Sequence, residues 1–215
     1  MNDFLQAPAI EALPAPPTIE HFLFEQPWPT MALLAILAIL AWLLFRARKQ
    51  QRLGVIVAVL LLACAGGIAI LASRVTTDRE VVLNRTVELI EATAKADTTA
   101  LRDILDVDTA VLRSEGSIRR VLPPSRDTAD ILAQVDRYLK GQYSITSVKL
   151  PNRQATIDGR NTARSQVRVA VEADALSRTH YSWWRLHWAR GTDGQWRCFE
   201  IEPLWIQFVG SSSGR

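Results

Sequence analysis

Acid–base chemistry, if this chain performs any, has few side chains to draw on. His180, Asp136 and Tyr138 supply an imidazole, a carboxylate and a phenol, groups that exchange protons with a substrate when they line a cleft. Each also has an ordinary structural use: His180 at a strand end in water, Asp136 on a solvated helix face, Tyr138 in a core. No stretch has the ligand spacing of a zinc site, a glycine-rich phosphate loop or a nucleophile triad, so neither a metal nor a cofactor is expected. The second set of candidates is cationic. Arg164, Arg168, Arg185, His187 and Arg197 project from adjacent strands with Trp183 among them, and Arg with aromatic residues is the composition favoured where proteins bind each other. The alternative is a solvated sheet face whose charge is balanced by Glu172 and other acids.

The elements that must position these residues follow from hydrophobic period. From Gly141 onward apolar residues alternate, and four strands are predicted: Ser144 to Leu150, Gln154 or Thr162 to Ala173, Arg178 to Arg190, and Gln195 to Phe208. Gly191-Thr192-Asp193-Gly194 is a hairpin turn, because its glycines and Asp tolerate the angles of a tight reversal, and Asp158-Gly159 is a second turn signal. Alternation puts Val167, Val169 and Val171, and Trp184, Leu186 and Trp188, on one face. Gln166, Arg168 and Glu172, with Trp183, Arg185 and His187, take the other. Upstream, three helices are predicted. One starts at Thr77-Asp78 and runs to about Ala96 with Val81, Val82, Leu89 and Ile90 apolar; a short one starts after Asp97; a third runs from Asp127 to Leu139, beyond Pro123-Pro124.

Three helices followed by a meandering antiparallel sheet give an α+β domain whose curved sheet wraps the helices. The run from Thr86 to Leu105, with IEATAKADTTALRDIL, and the closing WARGTDGQWRCFEIEPLW resemble the NTF2-like (SnoaL-like) superfamily, over about Asp78 to Phe208. The resemblance implies a cone-shaped fold. It leaves function open, since that superfamily holds isomerases, cyclases and dehydratases as well as transport factors and membrane-anchored secretion-system subunits. Its enzymes keep acids and bases inside the cone, where this sequence places apolar bulk; His180 on the inward parity and Asp136 and Tyr138 near the cone mouth are the catalytic candidates.

The N-terminal third is of another kind. Pro27 to Phe45 and Leu53 to Ala72 carry no charge, and at about 1.5 Å of rise per residue each reaches close to the roughly 30 Å of bilayer hydrocarbon. Between them Arg46, Arg48, Lys49 and Arg52 form a basic turn at 46–52, which the positive-inside rule assigns to the cytoplasm. Asp3, Glu11, Glu20 and Glu25 are the charged side chains of the preceding tail, so both termini are expected outside the cytoplasm. A cleaved signal peptide is the rival for the first run, but it calls for a basic leader and a small-residue cleavage site, and the flanks here are acidic before and Phe45-Arg46-Ala47-Arg48 after. With no ionisable residue in either run, an anchor is expected rather than a channel.

The segments are then a Pro-rich, disordered tail at 1–26, a transmembrane hairpin at 27–72, an NTF2-like domain at 73–209 and a flexible tail at 210–215. Residues from Ser73 on hold 21 of the 25 basic and 18 of the 22 acidic residues, a balance too even for a nucleic-acid surface. Cys64 and Cys198 are predicted in different phases and cannot meet as a disulfide. Two functions stay open. One is a membrane-anchored, non-catalytic module that self-associates or docks on an envelope protein; the other is a small hydrophobic-ligand binder or lyase/isomerase-like enzyme using the cone interior. Interior volume separates them: filling by Trp184, Trp188 and Trp196 favours the first.

Overall fold

The computed structural model describes residues 10–14, 27–74, 77–140, 145–174 and 178–211. Contacts divide the chain into two compact units, Ala15–Thr77 and, together, Met1–Pro14 with Asp78–Arg215. Most of the tail at 1–26, the first residue predicted for the first strand, Ser144, and residues 212–215 fall outside the described residues.

The first unit is a helical hairpin of α1 (Pro27–Ala47) and α2 (Gln51–Arg74). Both helices run into the predicted basic turn and shorten it to three residues, closed by a bond from the Gln50 N–H to the Phe45 carbonyl at 2.9 Å and by Lys49 in the left-handed region. Gly54 allows a close approach of the helices: a Cβ there would stand 2.8 Å from Phe45 Cβ. Gly66 and Gly67 instead face open space, whereas Ala65 of the same helix is buried. The Arg46 guanidinium lies 5.3 Å over the Trp42 ring. By length and composition both helices can cross a bilayer, with mean hydropathies of 2.2 and 2.8, and they leave most of their apolar surface uncovered.

In the second unit, α3 (Asp78–Ala94) buries Val82, Thr86, Leu89 and Ala92, a stripe at helical spacing. The Asp97 carboxylate then caps α4 (Thr98–Ile104) by accepting from the N–H groups of Thr99 and Ala100, at 3.1 and 3.0 Å. A two-residue strand, β1 (Val111–Leu112), and a 3₁₀ turn at Ile118–Arg120 follow, with Ile118 fully buried. The Asp127 carboxylate caps α5 (Thr128–Val135) through the Asp130 N–H at 2.8 Å. The predicted third helix is α-helical only to Val135 and continues as a π-helical turn over Asp136–Lys140.

The sheet comprises β2 (Ile145–Ile157), β3 (Thr162–Ala173), β4 (His180–Arg190), β5 (Trp196–Ile206) and β6 (Gly210–Ser211), with β1. Its order is β1-β5-β4-β3-β2, with β6 on β5. The four predicted strands pair antiparallel; β1 joins β5 in parallel, so the sheet is mixed rather than wholly antiparallel. β2 runs through the break predicted near Pro151 by way of a bulge between Lys149 and Asn152. It can do so because it is an edge strand, where a residue without an N–H costs no ladder bond. Both predicted turns form, with Gly194 at φ 80° closing the β4–β5 hairpin and Asp158–Gly159 turning back onto Thr162. Gly210 and Ser211, predicted in the tail, pair with Ile206 and Trp205. Cys64 and Cys198 are both free thiols.

Candidate functional site

The inner face of the sheet and the three helices close on a filled core. Trp188 and Trp196 are 0% and 1% exposed, packed with Leu101, Leu105 and Leu186, and Trp184 leans on the same cluster. Two hydroxyls are buried among them. The Trp188 indole N–H donates to Ser165 Oγ at 2.8 Å, and Ser165 Oγ is 2.7 Å from Thr86 Oγ1, which in turn reaches the Val82 carbonyl at 2.8 Å. One hydrogen per hydroxyl makes a single chain that satisfies every donor: Trp188 to Ser165, Ser165 to Thr86, Thr86 to Val82. These polar groups are spent on one another. The Trp196 indole N–H turns out to Asp78 at 3.4 Å, and Asp78 also holds Arg190 at 3.3 Å.

The acid–base candidates sit at the margins of this core. The His180 ring meets Phe208 edge-on, centroids 5.5 Å apart, at the start of β4. Asp136 is exposed at the head of the π-helical turn and Tyr138 is half-buried two residues on. A groove of about 630 Å³ lies elsewhere, along the hairpin, lined by Leu37, Leu40, Ala41, Leu43, Leu44 and Leu61. Apolar walls without a polar group suit hydrocarbon rather than a reacting substrate.

The cationic candidates, by contrast, are set in register. Pairing places Gln154, Gln166, Arg185 and Glu202 in one row across β2 to β5, Asn152, Arg168, Trp183 and Trp205 in the next, and Thr156, Arg164, His187 and Glu200 in a third. Neighbours within a row are about 4.8 Å apart and rows about 7 Å apart. Arg164 is clamped by the Asp158 carboxylate at 2.8 Å through both Nε and Nη2, which holds its guanidinium above its ordinary pKa. Arg168 lies 4.5 Å over the Tyr181 ring. Arg185 and His187 Nε2 stand 3.6 and 3.9 Å from the same Glu202 oxygen. The His187 imidazole, and after it Arg185, hold the Glu202 carboxyl below its usual range against burial, which pushes the other way. Arg197 is drawn off to the hairpin turn, where Asp193 takes both its Nη groups, and so stands apart from the other four.

Two features of this face were not legible in strand alternation. Glu200 and Glu202 face outward because the bulge between His187 and Trp188 shifts the β5 register after Cys198; from Trp196 and Cys198, strict alternation assigns both to the core. Gln166 is 3% exposed despite its outward parity. Its Oε1 has no hydrogen-bond partner, and neither do the buried Arg168 Nε, Arg185 Nε and Trp183 Nε1 around it.

No protein-family model matches the chain, and no curated protein matches it in sequence. Solved structures do. An NTF2-like protein from Cytophaga hutchinsonii superposes with a TM-score of 0.47 at 15% identity over 60% of this chain and 98% of its own. The CaMKII hub of S. rosetta does so at 0.50 and 15%, over 60% and 97%. The C-terminal domain has an NTF2-like fold. An LEH-like epoxide hydrolase from M. tuberculosis is similar too, with a TM-score of 0.42 at 15% identity over 60% of this chain and 81% of its own. At these identities the likenesses speak for the fold alone.

Proposed function

We propose that this chain is a membrane-anchored, non-catalytic NTF2-like module that self-associates through the outward face of its sheet. The observation that carries this reading is the patch of unpartnered polar atoms at Gln166, Arg168, Trp183 and Arg185. Buried polar groups are paired almost without exception, and leaving one unmade costs roughly 1–3 kcal/mol. Four of the six such atoms found among the described residues cluster in adjacent register positions on this face, which supports a face completed by a second copy. A two-fold pairing of sheets supplies matching donors and acceptors from the second copy, with Trp183 as the anchor. The interior supports the same reading from the opposite side: its volume is taken by Trp188 and Trp196 and its hydroxyls by each other.

The anchor is the hairpin. Its exposed apolar surface, Leu33, Ile36, Ile39 and Leu40 on α1 and Val55, Val59, Leu60 and Ile70 on α2, suits hydrocarbon on all sides. Arg46, Arg48, Lys49 and Arg52 then put the turn in the cytoplasm and the domain on the extracytoplasmic face.

Changing Trp183→Ala and Arg185→Ala together tests the interface, by light scattering of the full chain in mild detergent. Loss of a Trp anchor is worth about 2 kcal/mol or more, so the dissociation constant should rise some 30-fold. An unchanged oligomer removes the interface. Thiol labelling of single Cys residues placed at Gln50 and Ser213 in right-side-out vesicles tests orientation: only the second should react with an impermeant maleimide.

A further inference from the structure

Residues Ile10–Pro14 precede the apolar helices, yet they belong to the compact unit of the C-terminal domain. Leu13 is 9% exposed and Ile10 half-buried, whereas Glu11, Ala12 and Pro14 are open to water. Two apolar side chains covered and the two between them exposed is how a segment lies on a surface. Its place is marked by burial and charge together. Glu11 adds to Asp158 in favouring the charged form of Arg164, and Arg164 belongs to the outward face, beside Thr156 on β2. The helices pack on the other side: Val82 and Leu89 of α3, Leu101 and Ile104 of α4, and Ile131 and Leu132 of α5 all join the inner core. Even so, Thr156 and Ala170 on the outward face are only 8% and 6% exposed.

We propose that Ile10–Pro14 is a tethered cover that docks on the outward face beside Arg164 and competes there with a second copy of the chain. Resting on the self-association reading above, it adds how that association is restrained. A covalently attached segment acts at an effective concentration set by its tether rather than by the protein concentration, so a short contact can hold off a free partner. Leu13 supplies the apolar contact and Glu11 the charge that selects the arginine end of the face. Assembly then requires release of the segment.

Two measurements on the full chain in detergent test this. Glu11→Cys and Arg164→Cys, in a Cys64→Ala background, are treated with a short bismaleimide; the expected product is a joined peptide pair recovered from the monomer band. Absence of that pair, or its recovery only from a dimer band, overturns docking within one chain. Deletion of residues 2–14 should strengthen self-association about tenfold or more, the worth of one buried Leu contact. An unchanged dissociation constant in a chain whose dimer is still dissolved by Trp183→Ala and Arg185→Ala overturns the competition while leaving the interface standing. Failure of that double change to weaken assembly is the separate result that removes the interface itself.

Discussion

Replacing Ser165 by Ala is the sharpest probe of the closed interior. Ser165 is fully buried, and its Oγ is the acceptor for the Trp188 indole N–H at 2.8 Å. Without it the Trp188 N–H, on a side chain with no exposure, has no other partner in reach, whereas Thr86 keeps the Val82 carbonyl at 2.8 Å. The cost is that of one orphaned buried donor plus a small void, about 2–3 kcal/mol. With a urea dependence of about 1–3 kcal/mol per molar for a domain of this size, the unfolding midpoint should fall by roughly 1 M. Tryptophan fluorescence of the full chain in detergent reads this transition, because Trp188 and Trp196 report core packing directly. The same substitution in a Trp188→Phe background separates hydrogen bonding from volume, since no donor is left to orphan. There it should cost about 1 kcal/mol or less, a coupling of roughly 1–2 kcal/mol between the two positions. Equal costs in both backgrounds would refute the hydroxyl chain, and with it the claim that the core spends its polar groups internally. A Ser165→Ala change that left stability intact and admitted an apolar dye to the core would point instead to an interior with room for a ligand.

Other consequences are quicker to check. Burial pushes the Cys198 thiol up to about 12, so iodoacetamide at pH 8 should leave it unlabelled in the folded chain and modify it at the rate of unfolding, as read by mass spectrometry. Because the unfolded thiol ionises near 9.0 and the folded one does not, Cys198 makes stability fall as pH rises between 9.0 and about 12. Glu202 acts in the other direction: its pKa is lowered from 4.5, so its contribution is present above that value and is lost as pH falls through the lower, folded one. A Glu202→Gln chain should show a flatter acid limb in thermal melts between pH 3 and 5, and an unchanged limb counts against the His187–Glu202–Arg185 cluster. In the hairpin, Gly54→Leu should prise the helices apart at Phe45 and raise protease sensitivity in detergent, whereas Gly67→Leu, which meets open space, should leave a lone hairpin intact.

How much of this was legible in the chain depends on where its period holds. β3 and β4 pair without a register shift, so reading every second residue correctly gave Leu186 and Trp188 to the core and Arg168, Trp183 and Arg185 to the other face. β5 shifts register after Cys198, and there alternation fails: it misses Glu202, the acid that balances Arg185 and His187, although the near balance of 18 acidic against 21 basic residues from Ser73 on hinted that a partner existed. Capping chemistry located α4 and α5 because Asp97 and Asp127 each bond the N–H groups just ahead of them. The 106–126 stretch offers no such handle. A two-residue strand and a three-residue 3₁₀ turn are shorter than any period, and Ile118 is buried by the sheet it meets rather than by its own pattern.

The tail shows the same limit more sharply. Its prolines rule out a helix, and an extended segment without strand partners has no periodicity to read, so composition gives Ile10–Pro14 no role. What marks the segment is tertiary: Leu13 is buried and the Glu11 charge falls on Arg164. The filled core, the uncovered hairpin and the patch of unpaired polar atoms then act together. On the proposed reading the outward sheet face serves recognition, and the N-terminal segment is the occupant that the covalent chain delivers to it. If that face binds a second copy, tail and partner must exclude one another, so a change that frees the tail should alter assembly without altering the stability of the core.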